Sequence, residues 1–124
     1  MMRFAPLLLF LALTACLPGN RLTQGRYTGT LTPMNHPDMQ TPVTFDIAYE
    51  RADLTIALVG PDGQTIPTRD VIHAPPNLFF TFDEPEEGVT LRCVWARQED
   101  DGWAGRCTDS EGKWARFEIA PDGT

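Results

Sequence analysis

Between Tyr27 and Ile119 apolar side chains recur at every second position, stop at turn-forming residues and then resume. Tyr27, Gly29 and Leu31 share one parity; then Val43, Phe45, Ile47 and Tyr49; then Leu54, Ile56 and Leu58. The same pattern returns in Leu78, Phe80 and Phe82, in Val89, Leu91, Cys93 and Trp95, in Trp103, Gly105 and Cys107, and in Ala115, Phe117 and Ile119. Polar Thr28, Thr44, Asp46 and Thr55 fall between the apolar positions, which is the signature of strands with one buried face. Thr65 to His73, with Pro67 inside it, reads as a weak strand or an edge segment. No stretch past the N-terminal region sustains a 3.6-residue apolar period, so no helix is expected. The chain is therefore predicted to be all-β, a small antiparallel up-and-down barrel or barrel-like sandwich of about eight strands, spaced near 12 residues apart.

The last three strands constrain one another. A hairpin turning over Asp100 sets Cys93 opposite Cys107 and Trp95 opposite Gly105, so a large ring covers a glycine. The next hairpin, with Ser110-Glu111-Gly112 as a three-residue loop and Gly112 in the left-handed conformation, pairs Gly105 with Phe117 and Cys107 with Ala115. Both registers keep apolar residues on one face. A shift by two residues would preserve that parity, so parity alone leaves the exact pairing open.

The first 15 residues of the 124 carry a single charge, Arg3, then the run Leu7 to Leu13, then small residues before Cys16. That is a secretory signal, too short to span a bilayer as a helix. Leu13-Thr14-Ala15-Cys16 resembles the lipobox of bacterial lipoproteins: Leu, a small residue, Ala or Gly, then Cys. The resemblance implies cleavage before Cys16, acylation of its thiol and α-amine, and a lipid-anchored place in the cell envelope. Leu17 stands where Asp resembles an inner-membrane retention signal, so the outer membrane is expected in a double-membrane bacterium. The segments are then a signal peptide at 1–15, an acylated N-terminus and tether at 16–25, one domain at 26–120 and a tail at 121–124. Without the signal 109 residues remain, one domain's worth.

Those residues keep all 17 acids but 9 of the 10 bases, a formal charge of −8. Such acidity argues against nucleic acid and against anionic headgroups as electrostatic partners. With Cys16 assigned to lipid, Cys93 and Cys107 are an even pair in a compartment that permits disulfides, and a bond between them is expected. A metal pair or a reactive thiol are the alternatives; neither finds a histidine nearby in sequence.

Gly25-Arg26-Tyr27-Thr28-Gly29-Thr30-Leu31 resembles the opening of lipocalin-like barrels and of the NlpE-like barrel domain of envelope copper-homeostasis and surface-sensing lipoproteins, which begin G-x-Y-x-G-x-L. In those proteins a loop with a C-x-x-C pair follows. Here the loop is Thr32 to Met39, without cysteine.

Candidate sites are few. Met34, His36 and Met39 put three soft or imidazole donors in six residues, a set that suits monovalent copper; the alternative is an ordinary polar connection between strands. No other cofactor is expected. The acidic runs Asp83 to Glu87 and Glu99 to Asp101 lack EF-hand spacing. Ser110 is the only serine and Lys113 the only lysine, so nothing assembles a nucleophile with its base, and no enzyme is expected. Trp95, Trp103, Trp114, Tyr27, Phe45, Phe80 and Phe82 either fill the interior or line a cavity for a small apolar ligand. In an up-and-down order Met34 to Met39, Asp62, Asp83 to Glu87, and Asp109 with Glu111 gather at the end away from the tether, with His73 at the other. The expected role is a non-catalytic binding or structural one at the membrane, with copper handling and apolar-ligand carriage as alternatives and an envelope protein or small ligand as partner.

Overall fold

The computed structural model describes residues 21–122, which form nine strands and no helix. They are β1 (Gly25–Pro33), β2 (Thr41–Glu50), β3 (Asp53–Val59), β4 (Thr65–Pro67), β5 (Arg69–Ala74), β6 (Asn77–Glu84), β7 (Val89–Arg97), β8 (Trp103–Thr108) and β9 (Trp114–Pro121). One antiparallel sheet runs β4-β3-β2-β1-β9-β8-β7-β6-β5 and curls into a nearly closed barrel.

The sheet's two edges, β4 and β5, are the two halves of the stretch expected as one weak strand. β4 pairs with β3 and β5 pairs with β6. Between them Thr68 turns, its amide and its hydroxyl both donating to the carbonyl of Ile56 at 3.3 and 2.7 Å. The break has a local cause. Pro67 has no amide hydrogen to donate, Asp70 adopts φ 55°, and the β5–β6 register slips between Arg69 and Ile72. β3 meets β5 and β4 meets β6 across this seam.

The hairpin registers are those expected. Cys93 pairs with Cys107, Trp95 with Gly105, Gly105 with Phe117 and Cys107 with Ala115. Gly112 has φ 82°, and the amide of Gly112 closes the three-residue loop onto the carbonyl of Asp109 at 3.2 Å. Cys93 and Cys107 are disulfide-bonded inside the core.

Side chains fill the interior. Phe45 on β2 packs edge-on against Phe80 on β6 and Trp95 on β7, at centroid distances of 6.4 and 5.2 Å. It also meets Phe117 on β9 at 5.9 Å. Rings from opposite walls thus touch across the barrel, and each is about fully buried. Two glycines make room for this. A Cβ on Gly29 would overlap the backbone carbonyl of Glu118, and one on Gly105 would overlap the carbonyl of Val94 and crowd the Trp95 indole. The second glycine of the G-x-Y-x-G opening is therefore a point of close strand approach between β1 and β9.

Candidate functional site

The up-and-down order gives the barrel two unlike ends. At the loop end lie the β1–β2, β3–β4, β6–β7 and β8–β9 connections. At the root end lie the remaining turns and the described start of the chain.

The root end is sealed by residues 21–24, part of the expected tether. Leu22 is 6% exposed and belongs to the core. Its amide donates to the hydroxyl of Tyr49 at 3.2 Å, and the Gln24 side-chain oxygen accepts the amide of Tyr49 at 3.0 Å. The hydroxyl of Tyr27 donates to the carbonyl of Thr23 at 2.6 Å, and the Arg21 guanidinium lies over the Tyr49 ring at 4.1 Å. Burial pushes the Tyr27 phenol up, with the Asp101 carboxylate adding to the shift. The one apolar residue between Arg21 and Gln24 was the available sequence signal, and a single leucine carries no period. At the same end of the barrel His73 packs edge-on against Trp103 at 5.8 Å. Burial lowers its imidazole below the ordinary 6.5, and the charge of Arg97 lowers it further.

At the loop end the acidic residues turn out to build their own turns. Asp62 accepts the amide of Gln64 at 3.1 Å, Glu84 accepts the amides of Glu86 and Glu87 at 3.0 and 2.6 Å, and Asp109 accepts those of Glu111 and Lys113, both at 2.9 Å. Each is a side chain capping a tight turn from within. Asp83 sits on β6 and takes hydrogen bonds from Arg69 and Thr90, which hold its carboxyl below the usual carboxylate range. Glu86, Glu87 and Glu111 keep exposed side chains.

Met34, His36 and Met39 lie in the β1–β2 loop. The Met34 amide donates to the Trp114 carbonyl at the start of β9, at 3.0 Å. The amides of His36 and Met39 donate to the carbonyls of Pro33 and His36, folding the loop into two successive turns. Met39 is 56% exposed. Among the described residues no three of His, Cys, Asp and Glu converge as metal ligands, so copper here would rest on thioethers and one imidazole. His73 lies at the opposite end: its ring contact, Trp103, pairs with Ile119, whereas the loop joins the barrel where Pro33 pairs with Ala115.

Of the aromatic residues expected to face inward, Trp114 does not. Phe117 and Ile119 are buried, so the opposite parity of β9 puts Trp114 on the outer wall, where the Arg106 guanidinium covers its ring at 4.6 Å. Inside, the indole N–H of Trp95 is a buried donor with no partner. Cys16 lies outside the described residues. Among those described, no helix is long and apolar enough to cross a membrane.

No family model and no curated protein matches the sequence. Solved structures do. The chain is similar to a redesigned β-barrel at 12% identity and TM-score 0.57, over 80% of this chain and 90% of that one. It is also similar to a de novo designed fluorescence-activating β-barrel at 11% identity and TM-score 0.55, over 86% of this chain and 99% of the other. At such identities the likeness is one of fold.

Proposed function

We propose that this is a lipid-anchored, non-catalytic envelope protein that holds its barrel on the membrane by Cys16 and offers the loop end for binding. The observation that carries the reading is the strap at 21–24. An anchor five residues before Arg21 would be tied to the sealed end, leaving the Met34–Met39 loop and the glutamates Glu86, Glu87 and Glu111 on the far side. Several acyl chains at about 0.8 kcal/mol per buried methylene would hold so small a domain durably. Labelling of a bacterial host with an alkyne-bearing palmitate tests this. The wild-type chain should carry label and fractionate with membranes, and Cys16→Ala should lose both. Label retained on Cys16→Ala would defeat the reading.

Copper handling is the second reading, favoured by the exposure of Met39 beside His36 in the same turn. Its test is titration of the chain with Cu(I) against a colorimetric chelator. Loss of competition on Met34→Ala with His36→Ala supports it, and unchanged affinity removes it. Carriage of an apolar ligand inside the barrel finds less support, because rings from opposite walls already meet there.

A further inference from the structure

The outer wall of β5–β9 carries a row that the interior parity conceals. Reading across the strands at one height, Ile72 pairs with Phe79, Phe79 with Val94, Val94 with Arg106 and Arg106 with Arg116. Three of its five residues are apolar and two are cationic. Ile72 and Val94 are 58% and 53% exposed, two of the three exposed large apolar side chains among the described residues. Arg106 and Arg116, directly opposite one another, put like charges at a cross-strand separation that disfavours the sheet. Arg92 lies diagonal to Arg106, since Arg92 pairs with Thr108.

Ion pairing accounts for one of these three arginines. Among the described residues Arg26, Arg69, Arg97, Lys113 and Arg116 are in ion pairs, whereas Arg92 and Arg106 are in none. Arg116 reaches Glu118 through Nε at 3.2 Å. Arg106 is held over Trp114, so its guanidinium is positioned with its donors uncommitted to any carboxylate. Beside the row an open groove of about 440 Å³ is lined by the small residues Ala96, Ala104 and Gly105 together with Val94, Arg106 and Arg116, while Phe79 and Ile72 continue the apolar surface outside it.

We infer that this groove and the row beside it bind a single anionic amphiphile, its phosphate or carboxylate head on Arg106 and Arg116 with Arg92 diagonal to Arg106, and its apolar chain leaving the groove at Val94 to run along Phe79 and Ile72. Charge complementarity selects the head. The guanidinium pair suits a bidentate oxyanion, and it stands out on a chain whose formal charge is −7. The apolar part selects the tail, because an inorganic anion would leave it uncovered. The groove's volume falls in the range of small-molecule sites. Nothing in this inference depends on the lipid anchor.

The test uses the full chain with Cys16→Ala, free of its own acyl groups, and decyl phosphate below its micelle concentration, read by calorimetry. One-to-one saturable binding is expected, at least tenfold weaker for Arg106→Gln with Arg116→Gln and unchanged for the remote Arg51→Gln. Equal unfolding midpoints in urea for the two variants exclude a folding defect. Decyl phosphate should bind at least tenfold more tightly than inorganic phosphate, and Val94→Thr should narrow that gap. Unaltered affinity in the double arginine variant overturns the site. So does equal affinity for inorganic phosphate, or binding seen only with phosphatidylglycerol vesicles and never with the monomer, which would assign the wall to a lipid surface instead.

Discussion

The β6–β9 wall and the β3–β5 seam are made from the same alternating pattern, yet they are held in different ways. In the wall, ladders of six to eight paired residues run without a slip from Asn77 to Ile119, a disulfide crosses one of them, and Gly105 lets Trp95 lie flat against the sheet. In the seam, β4 contributes three residues and β5 slips in register. A closed barrel demands that each strand serve two neighbours. The stretch from Thr65 to Ala74 serves one neighbour with each half, and Thr68 takes up the change of direction. Closure has been concentrated in one segment, which leaves the wall regular enough to carry a disulfide and an organised outer surface.

If that contrast is right, damage to the wall should cost far more than damage to the seam. The largest effect is expected from Cys93→Ala with Cys107→Ala, which frees a 15-residue loop worth about 3 kcal/mol in the chain-entropy model. Urea unfolding should show that loss while the strand pairing survives, because Trp95 over Gly105 fixes the same register independently. Gly105→Ala comes next, at about 2–3 kcal/mol, since its methyl meets the Val94 carbonyl and the Trp95 ring with nowhere to go. A midpoint unchanged by Gly105→Ala would mean that the wall can splay, and the contrast would fail.

These two features were legible in the sequence because hairpin loops are short and their registers interlock. Gly112 and Asp100 each marked a turn, and the two turns together suggested the pairing that the structure has, although parity alone also allowed a shift by two. The break at Thr68 was not legible. Pro67 marked weakness, but whether a weak strand serves two neighbours or splits between them depends on the circumference of the closed sheet, which no local pattern encodes. The strap was hidden for a similar reason, since Leu22 is one residue whose amide is held by the hydroxyl of Tyr49, 27 positions along the chain. Trp114 was misplaced inward although the register already assigned it outward: with Gly105 opposite Phe117, Arg106 falls opposite Arg116, and Trp114 shares their face. The Met34–Met39 loop was located, while its chemistry depends on side-chain directions that spacing does not set.

In the seam, Thr68→Val should cost about 1 kcal/mol, the worth of one hydrogen bond from the hydroxyl to Ile56, with the amide bond retained. Amide exchange sharpens the comparison. Protons on Asp53–Ile56 and Val71–Ala74, next to the seam, should exchange before those on Arg92–Trp95 and Arg106–Cys107, and the variant should widen the gap. Equal protection on both sides would show that the break is no weaker than the wall.

The smallest expected effect is a pH dependence at the root end of β5. Burial, with Arg97, holds the folded His73 below 6.5, so the unfolded chain binds the proton more readily. Stability from this residue is therefore intact above the unfolded value and falls as pH drops from about 6.5 through the lower folded value. The Arg97 charge, itself paired with Asp101, opposes an imidazolium and acts in the same direction as burial. The unfolding midpoint of the wild type should drop more than that of His73→Leu between pH 8 and pH 5, by a margin smaller than the Thr68→Val effect. A larger drop in the leucine variant would mean that protonated His73 is welcomed by the Trp103 face, and that the root end, unlike the seam above it, tolerates charge.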